Sequence, residues 1–385
     1  MTLQIVMALC IGAAAVALWS LFRRPRTGSK PQADAPSRAR RGAVTGNSPT
    51  RSAPLPQNTA AHLPEQEAPL SDTHSPPEML GTLRLLGGDD ISDRIRADID
   101  AVCGVMPDPH PIHRQLASGL DSPEELAEIV ASDAGLTASL LRNVNSAAFS
   151  LASPIISIRH AITYLGMSTV KGLVAQAAVA QQVESLTPEQ QAALTRIWTS
   201  GCAASAVTQL LAQELGLTRP SVLATRALFL NLGDVALVMV RPSSVEWYAP
   251  GSNIVERICS QQNTIGMNTA MVGARLAQRW NLPDDISKAI QDGFTPLVTA
   301  SEEYPMQEEA RQDNVILYLA ARIGDRVSYL GIQDVSDLDL RDCSSPDLFY
   351  LAGHLNATGL TKVFSLLEDA TFRRKANRII QTLSV

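Results

Sequence analysis

The chain has 385 residues, more than one average domain, and its 45% hydrophobic content is ample for a buried core. Aromatic residues make up only 4%, so Ala, Leu, Val and Ile carry the apolar load. The net charge of -6 is uneven: residues 23–62 hold eight Arg or Lys against one Asp, leaving an acidic remainder without the basic face that broad nucleic-acid binding requires.

Residues 1–22 contain no charged side chain and run apolar through IVMALCIGAAAVALWSLF. About 20 helical residues at about 1.5 Å rise cross a hydrocarbon core of roughly 30 Å. Trp19 and Phe22 fall where aromatic rings settle at the interface, and Arg23, Arg24 and Arg26 follow at once. By the positive-inside rule that flank stays cytoplasmic. The rival reading, a cleaved signal peptide, wants its positive charge before the apolar run rather than after it. The order of charges therefore predicts a single-pass anchor in the inner membrane with the rest of the chain in the cytoplasm.

Residues 23–77 are rich in Pro, Ser, Ala, Arg and Gln and show neither helical nor strand period. Such a segment buries too little apolar surface to offset its ordering entropy, so a disordered tether is expected, with an end-to-end distance of about 40 Å. Its arginines would contact anionic head groups at about 1 kcal/mol each, or serve only to keep a spacer soluble.

From Ser92 onward, helix start and stop signals recur and period-two strands do not. Ser122-Pro123-Glu124-Glu125 has the form of a capping box with proline at the first helical position, and Leu126, Ile129 and Val130 mark one apolar face. Leu136, Leu140, Leu141 and Val144 mark the next. Thr187-Pro188-Glu189-Gln190 opens a long helix expected to stop near Gly216. Ala270, Gly273, Ala274 and Ala277 form a small-residue face that lets another helix approach closely. Asn281-Leu282-Pro283 ends that helix, and Ile286, Ala289 and Ile290 begin a new face. The prediction is an all-α fold after the anchor (1–22) and linker (23–77): one helical group at 78–185, a second at 186–300, and a C-terminal helical extension at 301–385. The cysteines at 10, 103, 202, 259 and 343 are widely spaced, with no CxxC pair. They read as small buried hydrophobes.

The stretch SPEELAEIVASDAGLTASLLRNVNSAAFSLASPIISIRHAITYLG at 122–166 resembles the HDOD family, the HD-related output domain of bacterial signalling proteins. Its most specific piece is LLRNVNSAAF, where Asn145-Ser146-Ala147 matches the family's Asn-Ser-Ala signature. Asp133 fits as well, although Ala134 stands where the family often has proline. Ala161-Ile162 with Leu165-Gly166 is a second match, and VGARLAQRWNLPDDISKAI at 272–290, with Trp280, is a third. Order and spacing agree over roughly 106–296.

The resemblance implies a helical bundle whose later group is related to HD phosphohydrolases, enzymes that hold a metal with histidines and aspartates and hydrolyse phosphate esters. Carried over position by position, the first histidine falls at Ser200 and the His-Asp pair at Leu230-Asn231. A further histidine falls at Thr269, the later histidine pair at Asp292-Gly293, and the last carboxylate near Ala321. Leucine cannot coordinate, and an amide, a hydroxyl and one carboxylate are too few for a catalytic centre. No metal, no cofactor and no catalytic residue are therefore expected.

The remaining polar residues read as structural. His62 and His74 lie in the tether, His110 and His113 in the proline-rich PDPHPIH, where no helix is expected to exploit their spacing, and His160 at a helix edge. His354 has no evident partner. Asp234 and Glu246 read as helix-dipole partners or solvated surface. Gly87-Gly88 form no phosphate-cradling motif. Asn145 and Ser146 either line a ligand or partner surface or cap a helix end, and their chemistry favours the cap.

Three functions compete. The leading one is a non-catalytic, membrane-anchored regulatory scaffold that binds protein partners of unknown identity, with no nucleic acid. The second is a sensor for a nucleotide such as a cyclic dinucleotide that uses the degenerate cleft without hydrolysis; no Arg or Lys clusters near Asn231 and Thr269 to favour it. The third, a residual enzyme, lacks a serine with an adjacent base or a GxSxG elbow.

Overall fold

Side-chain caps open eight of the helices in this computed structural model, which describes residues 75–87, 91–145, 154–181, 186–304, 306–342 and 344–383. The chain divides into two units, Met1–Glu65 and Gln66–Val385, and every described residue lies in the second. The expected anchor and nearly all of the tether therefore lie outside the described residues.

Among the described residues there is no strand. A short helix α1 (Glu78–Thr82) is followed by α2 (Asp93–Val105), α3 (Pro111–Ala117), α4 (Pro123–Ala131) and α5 (Ala134–Val144). Next come α6 (Ile158–Leu165), α7 (Met167–Gln181), α8 (Pro188–Leu215), α9 (Pro220–Phe229) and α10 (Leu232–Val240). The second half continues with α11 (Ile254–Ile265), α12 (Thr269–Arg279), α13 (Asp284–Gln291), α14 (Thr295–Val298) and α15 (Glu308–Asp325). The C-terminal helices are α16 (Leu351–Ala357), α17 (Lys362–Glu368) and α18 (Ala370–Leu383).

The Thr187 hydroxyl accepts from Gln190 N while the Gln190 side chain accepts from Thr187 N, a complete capping box, and α8 ends at Gly216 in the left-handed conformation. Ser122 caps α4 through Glu125 N, and its hydroxyl donates to Glu124.

The 28-residue α8 is the spine. It is buried nearly all round because α7, α9, α15 and α18 pack against it. Small residues fix how closely its neighbours approach. A Cβ at Gly324 of α15 would come within 2.3 Å of the Ser200 carbonyl oxygen, and one at Gly233 of α10 within 1.9 Å of the Thr269 carbonyl oxygen. Gly273, in the small-residue face expected on α12, meets Gly233 directly. Helices this close place the side chains beside their crossing in direct contact.

Two apolar cores result. The larger joins the faces of α3–α8 to those of α15–α18, so the segment after residue 301 packs onto the bundle. The smaller joins Ile99, Val102 and Cys103 of α2 to Leu237, Val272, Leu276 and Ile290 of α10, α12 and α13. Helix α2 thus packs with the second helical group rather than with the helices that follow it in the 78–185 segment.

Among the described residues, Pro220–Val240 is long and apolar enough to cross a bilayer, yet most of it is buried inside the fold as α9 and α10.

Candidate functional site

Three of the positions aligned with an HD metal centre, Ser200, Asn231 and Thr269, meet where α8, α10, α12 and α15 cross. Asn231, between α9 and α10, points its amide at α8, donating to the Ile197 carbonyl at 3.2 Å and to Ser200 Oγ at 3.5 Å. Ser200 Oγ in turn donates to Asp325 Oδ1 at 2.8 Å. The other carboxylate oxygen receives Arg257 from α11 at 2.5 Å and Arg322 from α15 at 2.8 Å. Arg257 also lies over the Tyr329 ring and Arg322 over the Tyr318 ring. Beside this row, the Asp234 carboxyl is bonded by the Tyr248 and Thr269 side chains.

The cluster is closed to solvent: Ser200 and Thr269 are each 1% exposed, Arg257 and Arg322 each 4%, and Asp325 9%. Burial works to raise the Asp325 pKa, but Arg257, Arg322 and the Ser200 hydroxyl outweigh it and hold the carboxyl below its ordinary value. Asp234 goes the other way, pushed up to about 6 by burial, with Arg257 only partly offsetting it.

The carboxylate that meets Ser200 is Asp325, one helical turn beyond Ala321, because Gly324 brings that turn of α15 against Ser200. One expectation is corrected here. Asp234 is buried rather than a surface dipole partner, since the close crossing at Gly233 turns the start of α10 inward.

Arg257, Arg322 and Asp325 escaped the sequence reading. The readable signal was Arg322 within the apolar run VILYLAARIGD, a charge that a buried helix holds only if it is paired. Leu230 caps the end of α9 as a half-buried apolar residue, and Gly293 packs near it. Asp292 is not in the cluster; burial raises its pKa, its amide donates to the Lys288 carbonyl, and its own carbonyl accepts from Thr295 N and the Asn314 amide.

The residues present do not fit a divalent ion. Two guanidinium groups stand at the carboxylate to which Ser200 donates, occupying its lone pairs with positive charge. Among the described residues, no group of three or more His, Cys, Asp or Glu could hold a metal.

The family-signature residues form a different arrangement at the end of α5. The Asn145 amide donates to the Leu141 and Ile155 carbonyls at 2.8 and 2.7 Å, and its oxygen accepts from Ile155 N at 2.7 Å. All three bonds go to backbone. Ser146 lies outside the described residues. Asp133 caps α5 through Leu136 N at 2.8 Å and meets His110 Nε2 at 3.1 Å. The Leu136 amide first, then His110, hold the Asp133 carboxyl below its ordinary pKa.

His110 itself caps α3, its Nδ1 accepting from Ile112 N at 3.2 Å, so the imidazole proton sits on Nε2 and is donated to Asp133. PDPHPIH therefore opens a helix, contrary to expectation, because Pro111 sits at a first helical position and the preceding histidine serves as the cap. His113 faces the core, stacked 5.4 Å from Trp280 with Nε2 at 3.2 Å from the Ala175 carbonyl, and burial lowers its pKa to about 4. Trp280 is 2% exposed and donates to the Pro107 carbonyl at 3.2 Å, tying the end of α12 to the entry of α3. His354 is also partnered, buried against Tyr304 with Nε2 at 2.8 Å from the Thr299 carbonyl. Thus Ser200, Asn231 and Thr269 share one centre, whereas Asp133, Asn145 and Trp280 serve separate contacts in the first helical group and at its junction with the second.

Comparison with known proteins follows the same lines. The chain is similar to the crystal structure of an HDOD domain protein from Geobacter sulfurreducens, at 17% identity and TM-score 0.46, covering 74% of this chain and 98% of that one. A candidate phosphohydrolase from Shewanella amazonensis SB2B matches at 20% identity and TM-score 0.46, covering 76% and 98%. The MmoQ response regulator from Methylococcus capsulatus str. Bath matches at 19% identity and TM-score 0.35, covering 70% and 100%. No match was found among curated proteins. The sequence model of the HDOD domain matches residues 110–294, which run from the His110 cap through the Asn145 clamp and the Ser200–Asn231 row to the loop after α13. The chain carries an HDOD domain at residues 110–294.

Proposed function

We propose that this chain is a non-catalytic, membrane-anchored signalling scaffold whose HDOD domain binds protein partners from the cytoplasmic side of the inner membrane. A signalling role accords with the domain itself and with the response-regulator naming of one structural neighbour. The observation that carries the non-catalytic reading is the Arg257–Asp325–Arg322 cluster, which sets two buried cations where a phosphohydrolase needs a metal. The uncharged, apolar run at 1–22 and the arginines behind it support the anchor.

The test has two arms. Purified full-length protein should contain no stoichiometric divalent metal and release no phosphate from phosphodiester substrates; stoichiometric metal with turnover sinks the non-catalytic reading. In-cell crosslinking, pull-down from membranes and mass spectrometry should recover a defined partner that is lost or weakened when residues 1–22 are deleted. A reproducible absence of any partner sinks the scaffold. The nucleotide-sensor alternative draws no support from this cleft, since Ser200 and Thr269 are buried beneath the ionic cluster.

A further inference from the structure

A cavity of about 440 Å³ lies away from that cluster, on the other side of α8, where the first turns of α7 and α9 both line it. Gly166, with φ +86, precedes α7 and has no side chain to cap it. Val170 N donates to the Gly166 carbonyl, so the amides of Met167, Ser168 and Thr169 have no acceptor within the helix. Helix α9 begins with Arg219 at the cap position, which makes no side-chain cap bond, then Pro220 and the cavity-lining Ser221. Helices of 15 and 10 residues thus turn their positive ends toward one space.

The side chains there match those ends. Lys171 is 5% exposed and lines the cavity; its ammonium donates to Asp121 Oδ1 at 3.1 Å, one of the three bonds it can make. Thr169 is 3% exposed, also lines the cavity, and its hydroxyl has no hydrogen-bond partner among the described residues. The Asp121 side chain, 52% exposed at the rim, is the one carboxylate now paired with Lys171. Gln209 and Gln213 of α8 supply amides along the remaining wall.

We propose that this cavity is a binding site for a small phosphate-class anion, held by the amide ends of α7 and α9, the Ser168 and Thr169 hydroxyls and the Lys171 ammonium, with Asp121 as the displaceable internal carboxylate. Helix N-termini with a lysine are a general means of holding such an oxyanion, and the volume suits a compact phosphorylated molecule. The inference stands independently of the signalling proposal, because it uses none of the residues of the ionic cluster.

The probes are inorganic phosphate and a nucleoside 5′-monophosphate, titrated into full-length protein in detergent micelles and read by thermal shift and calorimetry against sodium chloride at equal ionic strength. Wild type should show a saturable rise in melting temperature with at least one probe. Lys171→Met should weaken binding about tenfold or more, and Thr169→Val should weaken it severalfold while leaving the ammonium in place. Asp121→Asn should tighten it by removing the competing carboxylate. Should Lys171→Met fail to fold by circular dichroism, Thr169→Val and Asp121→Asn carry the test. Tighter binding of the monophosphate identifies a phosphate ester as the ligand, and tighter binding of inorganic phosphate identifies the free ion. A shift equalled by chloride overturns the site, as does wild-type affinity in every folded variant.

Discussion

The clamp around Asn145 and the cluster around Asp325 put polar side chains to opposite uses. Asn145 is neutral, spends its three bonds on backbone groups of Leu141 and Ile155, and fixes where the chain goes after α5. Asp325 is charged, spends its bonds on Ser200, Arg257 and Arg322, and fixes how α8, α11 and α15 sit against one another. The first satisfies obligatory backbone donors and acceptors, a role that any fold with this loop requires. The second is a buried group of paired charges whose value depends on every member being present. A backbone clamp and a buried charge cluster therefore do separate structural work in one chain.

The sharpest way to break this contrast is at the charged centre. Asp325→Ala leaves Arg257 and Arg322 buried without their carboxylate and should cost about 3–5 kcal/mol in urea unfolding. Replacing Arg257, Arg322 and Asp325 together with apolar residues of similar volume should recover most of that loss. Equal losses in the single and triple variants would show that packing, not charge, governs the centre.

Next comes pH. Asp234 holds its proton up to about pH 6 in the folded chain but only to 3.8 when unfolded. Its contribution is full below the unfolded value and lost as pH rises through the folded one, on the order of 3 kcal/mol across that window. His113 and His354 run the other way, because burial lowers each from 6.5 to about 4. Their contribution is present above 6.5 and lost as pH falls through about 4. Asp234→Asn should therefore make stability rise more steeply between pH 4 and 6 than in wild type, measured as unfolding midpoints across a pH series. An unchanged slope would mean that Asp234 is ionised in the folded state.

The backbone clamp should yield a smaller loss. Asn145→Ala leaves the Ile155 amide and two carbonyls to find new partners, at about 1–3 kcal/mol. Amide exchange at Ile155 should speed up while exchange in α8 stays slow. The smallest effect belongs to the cap: Asp133→Ala removes the acceptor for Leu136 N and should cost about 1 kcal/mol. A cost at Asp133 as large as that at Asp325 would end the distinction between local capping and buried charge.

Much of the local architecture was legible in advance because its causes lie within a few residues. Thr187 and Gln190 declared the start of α8, and Gly216 its end, since a capping box and a left-handed terminus are built from side chains and backbone three or four positions apart. The small face of Ala270, Gly273, Ala274 and Ala277 announced a close crossing, although not that Gly233 would be the partner. PDPHPIH misled because a histidine cap is rarer than a Ser or Asp cap, so His110 was not recognised as the start of α3.

By itself, then, the sequence determined an all-helical body and the ends of its principal helices. Those properties depend on side-chain identity and on contacts along the chain. Only the tertiary structure decided that Asp325 meets Ser200, that Arg257 and Arg322 pair with it, and that α2 packs on α12. The reason is physical: Ser200 and Asp325 lie 125 positions apart. Which charges meet across such a distance is set by how closely Gly324 and Gly233 let the helices cross, not by any local pattern.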